Sequence, residues 1–152
     1  MAFADSIRTT GATMSGVATL LESLLTAYAY NYDADTDSTT STSQVNFDTV
    51  TEVSLTVPTG GVVLLLGYGS FSHGTQYGSA TLGFARDSTD LSRYATGAAP
   101  RSSTGAGDFN VSLFAVDTPA AGTYTYKLRW QTGAGTAYTF YRAIFGAVLR
   151  IS

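Results

Sequence analysis

Between Tyr124 and Gln131 apolar and polar side chains alternate without a break. Tyr124, Tyr126, Leu128 and Trp130 fall on one side of an extended chain, and Thr125, Lys127, Arg129 and Gln131 on the other. A period of two marks a strand with one face buried, and a slip of one residue would turn every side chain to the wrong face. The same period recurs in Val53, Leu55 and Val57, which Pro58, Thr59, Gly60 and Gly61 bring to an end. It recurs again in Leu82 and Phe84, and in Phe109, Val111 and Leu113. The run Val62–Leu66 is apolar throughout, which predicts a central strand covered on both faces.

Short strands punctuated by turn residues predict an all-β fold, a jelly-roll-like antiparallel β-sandwich over residues 47–152. The run Thr132–Thr136, with Gly133 and Gly135, reads as the turn of a hairpin. It would join the Tyr124–Gln131 strand to a last strand from about Ala137 to Ile151. Asp87–Asp108 is rich in Ser, Thr, Gly and Ala and reads as a long surface loop with one short strand near Leu91 and Tyr94. The last strand is apolar on both sides. Tyr138, Phe140, Ile144 and Val148 count to one side, and Tyr141, Phe145, Leu149 and Ile151 to the other. Such a strand is either central in the sandwich or pressed against another chain.

Residues 1–32 carry a different pattern. Val17, Leu20, Leu21, Leu24, Leu25 and Tyr28 recur at helical spacing, with Ser15 as a candidate N-cap. A helix near ~12–15 residues is marginal alone and needs tertiary support. Residues 1–32 are therefore read as a helical or extended N-terminal arm. Residues 33–46 are mostly Asp, Ser and Thr with little to bury, and read as a polar linker. The candidate assembly contacts are Val17, Leu20, Leu21, Leu24, Leu25 and Tyr28 in the arm, and Tyr138, Phe140, Tyr141 and Phe145 in the last strand.

Composition removes several function classes. The 152 residues suit one domain. Cysteine is absent, so disulfides and cysteine-based metal sites are excluded. Charged residues make up 12%, against roughly 25% in ordinary soluble domains. Lys127 is the sole lysine, and the arginines are scattered, so no basic stripe for nucleic acid exists. No apolar stretch approaches the ~18 residues of a membrane-crossing helix. Met1–Asp5 shows no basic start of a secretory signal, so synthesis in a cytoplasm is expected.

Each catalytic or metal-binding pattern fails at a nameable position. His73 is the sole histidine and has Ser70 and Ser72 nearby in sequence, but no serine sits in a G-x-S-x-G elbow. Asp33, Asp35 and Asp37 imitate the opening of a calcium loop. That loop needs Gly at its sixth position and Glu at its twelfth, where Ser38 and Gln44 stand. The pairs Gly105/Gly107 and Gly133/Gly135 are turns, since neither leads into a helix opening with Lys and Ser or Thr. The expectation is a protein that is not an enzyme, with no cofactor, no metal and no small-molecule substrate.

Two passages carry a resemblance. One is Asp117–Trp130, a D-x-P-x-x-G type turn leading into a Tyr-rich strand. The other runs from Thr136 into the terminal Phe145–Ile151. Together they resemble the jelly-roll head domains of the tumour-necrosis-factor and C1q type, which also occur in phage capsid decoration proteins and fibre heads. Phe84–Leu91 is similar to the mid-domain strand and turn of those heads. The resemblance covers residues 47–152 and implies a homotrimer with aromatic side chains buried near its three-fold axis. It also implies a virion structural protein: a capsid decoration (cement) protein that binds a major capsid protein through arm and head. The alternative it implies is the receptor-binding head of a tail fibre, recognising host glycan or protein, with Asp87–Asp108 and Tyr77 at an exposed tip.

Overall fold

A computed structural model of the protein describes residues 24–47, 51–74, 78–98 and 107–150. Every element among them is a strand: β1 Leu25–Asp33, β2 Asp37–Thr39, β3 Val45–Asn46, β4 Glu52–Val57, β5 Gly61–His73, β6 Ser79–Arg86, β7 Thr89–Ala98, β8 Phe109–Asp117, β9 Gly122–Thr132 and β10 Ala137–Arg150. They form two five-stranded sheets. The first runs β1-β10-β5-β8, with β2 also on β10. The second runs β3-β9-β6-β7, with β4 also on β9. All pairs are antiparallel. After β4 the chain changes sheet at most connections, so sequence neighbours face each other across the core. The fold is an all-β sandwich of jelly-roll type, as the alternating pattern predicts.

The core fills the space between the sheets. From the second sheet come Val53, Leu55, Leu82, Phe84, Tyr126, Leu128 and Trp130; from the first come Val63, Leu65, Phe71, Val111, Leu113, Ile144 and Val148. Trp130 stacks on Phe47 at 4.8 Å between ring centroids and lies 5.9 Å from Phe71, which in turn meets Phe109 at 5.8 Å. The sheets approach closely because β5 has Gly67 under the bulk of the second sheet. A Cβ there would stand 2.7 Å from Leu128 and 2.9 Å from Phe84.

Four expectations are corrected. The helical reading fails for Leu25 and Tyr28, which lie in β1, paired with β10 from Leu25↔Leu149 to Asp33↔Arg142, while Leu24 just ahead of β1 is helical. Tyr28, Tyr30 and Tyr32 point outward and Ala27, Ala29 and Asn31 inward, so this stretch also has a period of two. Tyrosine suits a half-exposed strand, and pairing with β10 decides the outcome. Val17, Leu20 and Leu21 lie outside the described residues. The run 33–46, read as a linker, holds β2 and β3, and Asp37 and Thr39 are buried.

The predicted hairpin between β9 and β10 does not exist as such. The two strands belong to opposite sheets, and Gly135, at φ 68°, helps the chain cross between them. Asp87–Asp108 begins with a ten-residue strand, β7, in a tight hairpin with β6. Only Asp87 and Ser88 separate Arg86 from Thr89, which pair across it.

One buried ion pair fastens β1 to the sandwich. Arg142 is nearly inaccessible; its Nη2 donates to Asp33 Oδ2 at 2.8 Å, its Nη1 to the Asp35 carbonyl at 2.8 Å and its Nε to Thr51 Oγ1 at 3.2 Å. The guanidinium also lies 5.0 Å from the Phe47 ring centroid. Removing one partner of such a pair costs far more than the pair contributes in net terms, because the other charge stays buried. Deleting residues 1–23 is therefore expected to leave the sandwich folded. Asp33→Ala should lower the unfolding free energy by about 3 kcal/mol, measured by urea denaturation.

Candidate functional site

The period of two that fills the core also determines what the first sheet shows outward. In register across β1, β10, β5 and β8 stand Tyr30, Phe145, Leu66 and Phe114. The next row is Tyr28, Ala147, Leu64 and Val116, and on the other side lies Tyr32, Ala143, Tyr68 and Ser112. Of the eleven large hydrophobic side chains exposed among the described residues, four are on β1 and two each on β5, β8 and β10, leaving only Tyr94 on the second sheet. Tyr30 is 75% exposed and Phe114 56%, so these are not grazing exposures. A groove of about 540 Å³ runs along this face, between Tyr30, Leu66, Tyr68, Phe114 and Phe145.

Most of the candidate contacts named from sequence and within the described residues gather here. Tyr138 and Tyr141 are exposed on β10, Phe145 is half-buried at the centre of the face, and Tyr28 stands on the neighbouring strand. Leu25 opens β1 and is partly exposed, and Leu24 precedes it, half-buried. Phe140 sits at a β-bulge between Thr139 and Tyr141 and is half-buried. The bulge shifts the alternation by one. It puts Tyr138 on the same side as Tyr141 and Phe145, while Ile144 and Val148 turn into the core, contrary to the count along the sequence. Sequence reading missed Leu66, Tyr68, Phe114, Val116, Tyr30 and Tyr32. The signal for β5 was present in the unbroken run Val62–Leu66, but its outer side is covered by no part of this chain among the described residues.

The buried and half-buried polar groups bond to one another within the sandwich. The His73 ring is fully buried, its Nε2 3.0 Å from Thr132 Oγ1, and Gly78 packs so closely on it that a Cβ would fall 1.8 Å from Nδ1. The imidazole weighed as the partner of a catalytic serine is thus sealed between β5 and β9. At the opposite end, Arg86 Nη1 donates to both oxygens of Asp117, at 3.0 and 2.8 Å, and Tyr126 donates its phenol proton to Asp117 Oδ2 at 2.8 Å. Among the described residues no group of three or more His, Cys, Asp or Glu could hold a metal ion.

This strand order, with a first sheet of β1, β10, β5 and β8 against a second built on β9, β6 and β7, defines a jelly roll of the tumour-necrosis-factor type. The structure of the Eiger TNF of S. frugiperda superposes with a TM-score of 0.50 at 11% identity, covering 85% of this chain and 94% of that one. The globular domain of zebrafish complement 1qA protein gives 0.48 at 16% identity, over 82% and 97%. The tripod from the baseplate of bacteriophage Tuc2009 gives 0.44 at 16% identity, over 92% and 69%. No family model matches the sequence, and no curated protein matches it significantly. At these identities the likeness is one of fold.

Burial, then the hydrogen bond to Asp117 and the charge of that carboxylate, pushes the Tyr126 phenol well above its usual range. Tyr94 is held up too, chiefly by its hydrogen bond to Asp90. A raised folded-state value stabilises fully below the unfolded pKa of about 10 and is lost as pH climbs through the folded one. Unfolding free energy should therefore fall as pH rises beyond about 10, and Tyr126→Phe should flatten that decline. Urea midpoints taken between pH 8 and 11 measure both.

Proposed function

We propose that this chain is a non-enzymatic structural subunit that assembles as a homotrimer through the outer face of its first sheet, and that it serves in a virion as a capsid decoration protein. The observation that carries the reading is the continuous apolar face. Exposed apolar patches beyond a few hundred Å² are rare on monomeric proteins and mark interaction sites. Tyrosine and phenylalanine dominate the patch, and aromatic residues are the type enriched at interface cores. Three-fold packing of copies would bury the groove around Leu66 and Phe114 and give each exposed apolar side chain a partner, at roughly 25 cal/mol per Å² removed from water.

The virion role rests on the sequence pattern shared with phage head domains and on the low charge, which favours dense packing against other surfaces. Docking on a major capsid protein would then fall to residues 1–24, whose apolar side chains Val17, Leu20, Leu21 and Leu24 precede the sandwich.

Light scattering coupled to size-exclusion chromatography should give a mass of three chains. Leu66→Glu and Phe114→Glu should each yield monomer with an unchanged far-ultraviolet circular dichroism spectrum. A monomeric wild-type protein at tens of micromolar would refute self-assembly. Electron microscopy of particles labelled with antibody against the chain should show it on the shell; label on the tail would replace the decoration role with that of a fibre head.

A further inference from the structure

The outer face of the second sheet differs in kind from that of the first. It holds a cavity of about 310 Å³ lined by Asn46, Ala85, Asp87, Ser88, Lys127 and Arg129. The size is near the lower end of small-ligand sites, which start at about 300 Å³, and suits a single sugar ring.

Register explains how the cavity arises. Lys127 and Arg129 are two residues apart on β9 and both point outward, because Tyr126, Leu128 and Trp130 fill the core. Across from Lys127 stands Ala85 on β6, whose methyl leaves space, and across from Arg129 stand Asn46 on β3 and Gly83 on β6. A Cβ on Gly83 would lie 2.8 Å from Tyr94 and 2.9 Å from the Gln44 side chain, so the glycine makes room for that ring on the same face. The fourth wall is the β6–β7 turn. Asp87 has φ 52°, its N–H donates to the Thr125 carbonyl at 2.7 Å, and its Oδ1 accepts the Thr125 N–H at 2.9 Å. Those bonds fix the turn, so little ordering cost remains for a ligand.

The charges are placed unevenly. Six cations lie within the described residues. Arg86 and Arg142 are held in short pairs with Asp117 and Asp33. Lys127 has Glu52 at 3.5 Å, with both side chains about one-third exposed, a loose and screened pair. Arg129 donates to the Gln44 carbonyl and pairs with no carboxylate among the described residues. Thus Arg129, without a carboxylate partner among the described residues, and the loosely paired Lys127 stand side by side at one cavity wall, with a carboxylate, an amide and a hydroxyl around them.

We propose that this cavity binds an acidic sugar residue. The sugar's carboxylate takes hydrogen bonds from Lys127 and Arg129, and its ring hydroxyls donate to Asp87 and exchange hydrogen bonds with Asn46 and Ser88. A bare anion would meet the Asp87 carboxylate with nothing to offer it. A neutral sugar would leave Arg129 without an anionic partner and Lys127 with only its loose contact to Glu52. The site faces away from the apolar sheet, so it stays open in the proposed trimer and does not depend on that assembly.

Titration of the ¹⁵N-labelled full chain with sodium glucuronate, glucose and sodium sulfate, followed by amide chemical shifts, tests the proposal. Glucuronate should move the Asn46, Ser88 and Lys127 amides in a saturable way, with glucose at least about tenfold weaker. Lys127→Gln should weaken glucuronate by about tenfold, as expected for one charge-assisted hydrogen bond, while amides of the first sheet stay in place. Asp87→Asn should weaken glucuronate without weakening sulfate. No saturable shift with glucuronate, equal binding of glucose, sulfate binding as tightly as glucuronate, or an unchanged Lys127→Gln titration would each overturn the proposal.

Discussion

The packing of Trp130 against Phe47 and Phe71 sets the relation between the two sheets. Trp130 comes from β9 and Phe71 from β5, so the stack spans the sandwich and ties the parity of both strands. Once Trp130 points inward, Lys127, Arg129 and Gln131 must point outward; once Phe71 does, Leu64, Leu66 and Tyr68 must. The outer surfaces of the protein follow from the inner ones by alternation alone. Gly67 belongs to the same constraint: it stands where Leu128 and Phe84 need the room.

What alternation exposes is unlike on the two sheets. The first shows tyrosine, leucine and phenylalanine; the second shows threonine, asparagine, lysine and arginine. A sheet that is apolar on both faces loses free energy to water on whichever face stays open. A polar outer face carries no such penalty. The scarcity of charge across the whole chain is therefore not evenly spread. Among the described residues it leaves the first sheet's outer face apolar and places Lys127 and Arg129 side by side on the second.

The sandwich was legible in the sequence because period-two alternation survives in single strands such as Tyr124–Gln131. Which strands pair was not. Gly133 and Gly135 look alike whether the chain turns back beside itself or crosses to the opposite sheet, and only the position of the partner strands separates the two. Residues 25–32 misled because Leu24, Leu25 and Tyr28 fit helical spacing, while the competing alternation consists of alanine and tyrosine, which apolar counting weighs unequally. The polar run after Asp33 hid its role because it is held by Arg142, and an ion pair across about a hundred residues leaves no local pattern. The apolar outer face was half legible. Apolar residues on both sides of β10 pointed to it, but the bulge at Thr139–Tyr141 reversed the assignment of Tyr138, and the exposed residues of β8 alternate just as a strand with only one buried face would.

The Arg142 cluster and the apolar face are linked through β1. That strand has small inward side chains, Ala27 and Ala29, so its grip on the core by apolar burial is weak, yet it carries Tyr28, Tyr30 and Tyr32 on the outer face. Its ladder to β10 and polar bonds at both ends hold it: Thr26 Oγ1 donates to the Val148 carbonyl at 3.1 Å near one end, Asn31 Nδ2 to the Glu52 carbonyl at 3.2 Å, and Asp33 pairs with Arg142 at the other. A buried cation is a poor source of net stability, but here it makes one register the only acceptable one. A slip by one residue would take Asp33 from Arg142 and turn the three tyrosines into the core. Directional bonds thus fix an edge strand that hydrophobic packing alone would leave loosely specified, and with it the composition of the first sheet's outer face.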